Sequence, residues 1–491
     1  MDDVRIRPED AAAAPPGPAR RIVAVSVVMA AVVMDLLDTS VVNVALPTLR
    51  TDLHAGSAAL QWLVAGYSLA FAVLLVTGGR LGDVYGYRRV FACGVTGFMA
   101  ASAVCALATD AGVLVAARVL QGAAAALMVP QATSLIQLMY RPQERSKVMG
   151  LFGALAGLAA ALGPLLGGVI LRADLLGAGW RPIFLVNVPV GAAALVAARY
   201  LLPSGASTGP QRTDPRGTAL VVLGLTLLVL PLVEGPAEHW PAWTYLCLAA
   251  SLPVLGLLVL DQRARERRGV PGLVHVPLFR QRCFGIGLVL SLLAEAVMSG
   301  LMITLTLVLQ EGLGLSAFTA ALATLPMIAG MVLGVAVLAE SLLPRLGRGV
   351  LPVGNAVLAT GLAGAAWTLH RFGEGTGVWE LTPWLVAIGT GLGLIMGPLF
   401  AITLQNVDAA HVGSASGVLE SVEQLGGVLG VVSIGTVFLH RVDGGDGGDG
   451  FAGAFGWGVG AALALLVVSC AVGFALPRRL RTESEIPAGA L

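Results

Sequence analysis

Two aspartates, Asp35 and Asp38, lie three residues apart inside an apolar run that begins at Ile22. One arginine, Arg118, lies inside another apolar run, ARVLQGAAAALMVP (117–130). Three glutamates, Glu295, Glu420 and Glu423, sit in similar surroundings further along the chain. An ionisable side chain in such a segment is costly to bury and is a functional candidate by default. Burial favours the neutral acid and a nearby cation favours the carboxylate, so an acid whose arginine partner comes and goes is a proton switch. The plainer alternatives are an arginine that caps carbonyls or pairs permanently with an acid, and carboxyl groups hydrogen-bonded inside a bundle with no further role.

Helical geometry sharpens the choice. Asp35 and Asp38 share a helix face. Asp38 is nine residues from the far end of its run, roughly 13 Å at 1.5 Å per residue. Arg118 is seven residues from the corresponding end of its own run, roughly 10 Å. The two therefore lie at similar depth and can pair. Glu295 falls near the middle of a bilayer, and Glu420 and Glu423 share a face of GSASGVLESVEQLGGVLG (413–430). Acids there can bind cationic compounds or carry a further proton. Glu234 and Glu340 fall at run ends, where solvation is expected.

The elements that must position these residues follow from composition. The chain of 491 residues is 56% hydrophobic and 12% charged, with a mean hydropathy of +0.84, against about 25% charged in soluble proteins. The excess apolar surface must face lipid. The expected class is an all-α integral membrane protein. Fourteen runs are long enough to span: 22–46, 60–79, 90–108, 111–139, 146–171, 183–201, 217–234, 243–260, 284–310, 317–339, 350–369, 382–405, 413–439 and 453–476. A tight turn at Thr109-Asp110 separates the third from the fourth. With the N-terminus inside, 24 of the 30 Lys and Arg residues fall on the inner side and five on the outer, leaving Arg118 within a helix. The positive-inside rule asks for that asymmetry, so the count of fourteen and two cytoplasmic termini support each other.

The runs group as six, two and six. The expected division is a cytoplasmic tail (1–21), a six-helix bundle (22–201), a connector carrying two extra spans (202–282), a second six-helix bundle (283–476) and a cytoplasmic tail (477–491). Two halves of six point to a repeat-built transporter with its cavity between the halves. The first run is too long for a signal peptide. DQRARERRGV (261–270) reads as a topology anchor, and DGGDGGDG (443–450) as a hydrated loop. The five cysteines read as small buried hydrophobes. No metal-spaced histidine cluster and no phosphate-binding G-x4-G-K-[ST] run is present, so an enzyme, a metal site and ATP hydrolysis are not expected. A net charge of +1 gives no reason to expect nucleic acid. The Arg, Ala and Gly richness, with Lys147 the sole lysine, fits a GC-rich bacterial source.

Four motifs carry a resemblance. GRLGDVYGYRRV (79–90) resembles the cytoplasmic signature loop of the major facilitator superfamily, with Gly79, Gly82, Asp83, Gly86, Arg88 and Arg89 matching. Val84 and Tyr87 replace usual basic residues, which thins that loop's charge network. Arg118, Gln121 and Gly122 match the superfamily's R-x-x-Q-G signature, and the resemblance implies a proton-relay arginine. GLFGALAGLAAALGPLLGGV (150–169) resembles the antiporter signature of its proton-coupled exporters through Gly150, Gly163, Pro164, Gly167 and Gly168; Ala159 stands for the central glycine. Importers generally lack that signature. DTSVVNVALP (38–47) resembles the first-span signature of the fourteen-span drug:proton antiporter family, with Ser40 where threonine is usual. QWLVAGYSLA (61–70) and WRPIFLVNVPVG (180–191) resemble further segments of that branch.

The resemblance implies the major facilitator fold, two six-helix bundles plus two additional spans, in a bacterial inner membrane. It implies a monomeric exporter of amphipathic organic compounds driven by protons, with no other cofactor. Asp35, Asp38 and Arg118 would carry proton coupling. Asn43, Gln121, Glu295, Glu420 and Glu423 are candidates for the substrate cavity. An exporter of one endogenous metabolite, or a sensor on the same fold, remains open on sequence alone.

Overall fold

In lipid every backbone N–H and C=O must be satisfied within its own segment, and helices achieve this. The computed structural model describes residues 18–140, 162–174, 177–203, 214–235, 240–270, 276–404, 412–443 and 450–476, with residues 148, 155, 159, 238 and 407. Its described elements are all helical. In chain order they are α1 (Pro18–Asp52), α2 (Ser57–Tyr85), α3 (Tyr87–Leu107), α4 (Ala111–Met139), α5 (Leu162–Ala173), α6 (Pro182–Leu201), α7 (Pro215–Glu234), α8 (Ala242–Arg267), α9 (Arg282–Leu307), α10 (Ala317–Val332), α11 (Val350–Phe372), α12 (Val378–Leu404), α13 (Val412–Asp443) and α14 (Gly450–Gly473). Thirteen are long and apolar enough to cross a membrane, and α5 is a shorter apolar helix. Each expected span has its helix. Most of the fifth expected span before Leu162 lies outside the described residues, as do 444–449 of the Asp/Gly segment.

Local chemistry sets the helix ends. The Asp110 carboxylate accepts from Val113 N at 3.0 Å and starts α4 after the expected tight turn. Gly86 separates α2 from α3 at φ 93°, a conformation that favours glycine. π-helical turns extend α9 through Val308–Gly312 and α10 through Leu333–Ala339. α1 begins at Pro18, four residues before the apolar run, because a helix can extend past the lipid boundary. Cys105 and Cys283 are buried as expected, but Cys93 is exposed, an apolar side chain on the outer face of α3.

The helices α2, α3 and α4 pack on one another, and α1 and α6 complete that group. The helices α9, α11, α12, α13 and α14 form a second group, with α10 against α12. The groups meet where α2 packs on α13 and α1 on α9. The connector helices α7 and α8 pack as a pair, and α7 also contacts both α2 and α13. At one end of this pair the buried Asp214 accepts from Gly217 N at 2.8 Å and Gln262 Nε2 at 2.8 Å, and pairs with Arg265 at 2.7 Å.

The core is not shared evenly. At the face carrying Asp52, here the distal face, one apolar cluster runs from Val41–Leu49 of α1 and Leu60 of α2 to Leu301–Leu309 of α9 and its π-helical extension, and onward through the second group. Towards the opposite, proximal face, which carries Pro18 and Gly473, the first group has its own cluster around Val28, Phe91 and Met128. The second group has another around Phe284, Leu288 and Leu419. The Arg50–Glu311 ion pair, 3.0 Å, and a bond from Gln310 Nε2 to Val44 O, 2.9 Å, add polar ties between the groups at the distal end.

Candidate functional site

Close backbone approach builds the centre of the first group. A Cβ at Gly122 would lie 2.2 Å from Tyr67 O, so only glycine lets α4 come this near α2. One turn earlier on α4, Arg118 is thereby laid against α2. Its Nε donates to Leu63 O at 3.1 Å and its guanidinium stacks over the Tyr67 ring at 4.3 Å. This is the geometric content of R-x-x-Q-G: the glycine fixes the approach, and the arginine and glutamine use it.

Asp38 meets this group from α1. Arg118 Nη1 donates to Asp38 Oδ2 at 2.5 Å. Gln121 Nε2 donates to Asp38 Oδ1 at 2.9 Å, and Asn187 Nδ2 donates to the same oxygen at 2.7 Å. Gln121 Oε1 accepts from Arg118 Nη1 at 2.7 Å. Ser102 Oγ on α3 accepts from Gln121 at 2.9 Å and Asn187 at 3.2 Å. Asp38 is 3% exposed and Arg118 1%. A charged pair this far from water needs further partners to hold; here both Asp38 oxygens accept, and Arg118 adds Leu63 O, Gln121 Oε1 and the Tyr67 ring. Side chains of α1, α3, α4 and α6 and a carbonyl of α2 converge on one carboxylate–guanidinium pair.

Asp35, one helical turn earlier, is also buried and accepts from the Tyr67 hydroxyl. Its carboxyl group lies within electrostatic range of Asp38, Arg118 and, from the other helix group, Glu420. Glu295 accepts from Ser299 Oγ at 3.0 Å. Gly426 and Gly427 bring α13 against the Cβ and Cγ of Glu295. Glu423 lies within electrostatic range of Glu295 and Glu420. The three glutamates are half-buried, and Glu420 is the one within electrostatic range of Asp35.

Other residues singled out in the sequence land elsewhere. Gln121 is fully enclosed by the Asp38 network, because it is one turn from Arg118 on the same face, and does not line a cavity. Asn43 donates to Thr39 O of its own helix at 3.1 Å and stays outside the network. Glu234, expected in solvent, accepts from Trp62 Nε1 at 2.6 Å, because α7 packs beside α2. In the loop motif, Arg88 Nη1 reaches Leu202 O at 3.3 Å, Arg89 is exposed, and Gly79 packs near Pro130. A Cβ at Gly82 would strike the Gln131 side chain, whose Nε2 donates to Gly78 O at 2.7 Å. The Asp83 side chain lies outside the described residues.

In the glycine-rich fifth segment Gly150 lies outside the described residues, and Ala159 is buried. A Cβ at Gly163, next to Pro164, would lie 2.3 Å from Ser40 Cβ, and one at Gly167 3.0 Å from Val41 Cγ1, so both glycines seat α5 on α1. A Cβ at Gly168 would lie 2.7 Å from Phe318 Cα, so this glycine seats α5 on α10 of the other group.

Tyr67, Ser102 and Asn187 were not legible as site residues. Tyr67 and Asn187 do lie in the two segments set apart by resemblance, whereas Ser102 carries no signal beyond being polar in an apolar run. Among the described residues no group of three His, Cys, Asp or Glu is placed to hold a metal ion.

Known proteins place this geometry. The chain is 44% identical over 432 residues to the "Probable actinorhodin transporter" of Streptomyces coelicolor, covering 88% of this chain and 75% of that one. It is 33% identical to the "Tetracenomycin C resistance and export protein" of Streptomyces glaucescens, covering 87% and 77%. A solved bacterial homologue of the human lysosomal transporter Spinster, in an inward-facing and unoccupied conformation, shares the fold with a TM-score of 0.65 at 17% identity, over 94% of this chain and 97% of that one. The family model described as Major Facilitator Superfamily matches residues 28–431. The multi-pass helical bundle, the glycine-mediated helix approaches and the family match agree: this chain belongs to the Major Facilitator Superfamily, a membrane transporter of small molecules rather than an enzyme.

Proposed function

We propose that this chain is a proton-coupled exporter of amphipathic organic compounds, antibiotics among them, working by alternating access as a monomer in the bacterial inner membrane with both termini cytoplasmic. The observation that carries the reading is the enclosed Asp38–Arg118 pair, with every oxygen of the acid held by a donor. Protonating Asp38 removes the charge that holds Arg118. Several helices then lose a shared anchor at once, so one proton can bias the packing of a whole bundle. The basic residues crowd the proximal face, which supports its assignment to the cytoplasm.

The moving units are the bundles 22–201 and 283–476, with 202–282 as connector. Substrate enters from the proximal side, where the halves have separate cores. Glu295, Glu420 and Glu423 favour a cationic group there, beside Asp35. The bundles then rock about the seam, the distal cluster parts, substrate leaves, and protons from outside reach Asp38. Return to the proximal-open state releases them inside. The relatives named for actinorhodin and tetracenomycin C favour a second reading, export of one endogenous antibiotic.

Inverted vesicles with a pH-sensitive dye test the proposal. Addition of substrate should release protons from wild type and not from Asp38→Asn. If no cationic or neutral compound in a broad panel moves protons while the protein binds drug, coupling is wrong. A response confined to one chemical class selects the second reading.

A further inference from the structure

The segment WRPIFLVNVPVG (180–191) was set apart in the sequence without a role, and the structure gives it one. From Pro182 it lies in α6, which runs on through Val186: that residue holds helical dihedrals, φ −59° and ψ −28°, and its N–H donates to Pro182 O at 3.1 Å. Asn187 lies on the face of α6 turned to the interior, 2% exposed. Its amide nitrogen is 2.7 Å from Asp38 Oδ1 and 3.2 Å from Ser102 Oγ.

We infer that Asn187 is the positioning residue that follows the protonation state of Asp38, donating to the carboxylate and turning its carbonyl to accept from the carboxylic acid. This rests on the proton-coupling reading of Asp38. The argument is one of donor and acceptor inventory. Ionised Asp38 offers only acceptors, and its three neighbours are all donors: Arg118, Gln121 and Asn187. Once protonated, the acid presents an O–H that needs an acceptor. Arg118 has none, since a guanidinium only donates. The carbonyl of Gln121 is already committed to Arg118 at 2.7 Å. Asn187 is the third neighbour, and all its hydrogen bonds among the described residues are made by its nitrogen. A half-turn of its side-chain amide exchanges donor for acceptor within the same volume.

The ionisable groups facing Asp38 are Arg118 on α4, Tyr67 on α2, Cys105 on α3 and Asp35 on α1, with Glu420 of α13 beyond Asp35. From α6 the site receives a neutral amide, which can serve both protonation states without a change of charge.

The test is the pH dependence of substrate-triggered proton release in inverted vesicles, for wild type and Asn187→Ala. The variant loses a bond in both protonation states, but the one to the charged carboxylate is about twice as strong as the neutral one, so the midpoint pH should rise, by up to about one unit or a tenfold change in proton affinity, and the release step should slow. Substrate KM at the acid end should stay within twofold. A role in packing alone would lower yield or thermal stability and leave the midpoint in place. If wild type couples and the Asn187→Ala midpoint is unchanged, the inference is overturned. Asn187→Ser, whose hydroxyl is too short to reach Oδ1, gives the same readout should the alanine variant fail to accumulate. If wild type itself releases no protons, the exporter reading fails first, and the two failures are told apart.

Discussion

Replacing Gly168 by alanine should move the balance between the two states of the transporter. Its Cβ would lie 2.7 Å from Phe318 Cα, 3.1 Å from Phe318 N and 3.0 Å from Ala317 O, all backbone atoms at the start of α10. Ordinary contact begins at 3.4 Å, so the helices must part by about 0.7 Å, and no side-chain rotation relieves the clash. Overpacking of this kind costs about 1–3 kcal/mol. The cost falls only on the state in which the distal ends of α5 and α10 touch. The distal-open fraction should therefore rise by roughly 5- to 150-fold relative to the closed one. Spin labels at His54→Cys and Trp379→Cys, both exposed and one on each helix group, report the opening as a longer distance once Cys93, the exposed native cysteine, is replaced by serine. Gly163→Ala is the control. Its clash is with Ser40 of α1, within the same group, so it should lower stability without changing the distances. An unshifted distribution in folded Gly168→Ala protein, or an equal shift in Gly163→Ala, would refute the reasoning.

Four further outcomes follow from the packing. Arg118→Ala leaves the Asp38 charge buried and should destabilise the protein by about 3–5 kcal/mol, seen as a lower midpoint in detergent thermal unfolding. Asp38→Asn should be milder in the same assay, because Arg118 keeps Leu63 O, Gln121 Oε1 and the Tyr67 ring. Asp214→Ala removes a helix cap and two side-chain partners from the α7–α8 pair; it should cost at least about 2 kcal/mol, read as faster hydrogen exchange confined to those helices. Glu295→Gln should weaken binding of cationic compounds severalfold in equilibrium titrations while leaving neutral ones unchanged, and equal losses for both would assign Glu295 a packing role.

The legibility of this protein follows from what each signal depends on. Span positions depend on local composition, so α1 to α14 could be placed from apolar runs, and only their ends moved, as at Pro18. The turn at Asp110 depends on one side chain capping its own helix. The match of Asp38 to Arg118 depends on two depths, each counted along a single helix. Tyr67, Ser102 and Asn187 escaped because their importance lies in which neighbour they face. Gln121 is a similar case: an amide one turn from an arginine fits a cavity wall and a buried clamp equally well, and the structure shows it clamped between Arg118 and Asp38.

The sequence by itself determined that the chain must live in lipid, where its apolar segments run, and that Asp38 and Arg118 sit at similar depth, because hydropathy, length and helical rise are properties of single segments. Only the tertiary structure decided that Gly122 presses α4 onto α2, that Asn187 closes the ring of donors around Asp38, and that Gly163 and Gly168 bind to different halves. Those outcomes depend on rotation of each helix about its axis and on backbone approaches of a few ångströms, which are fixed by all neighbours at once and by no one stretch of chain.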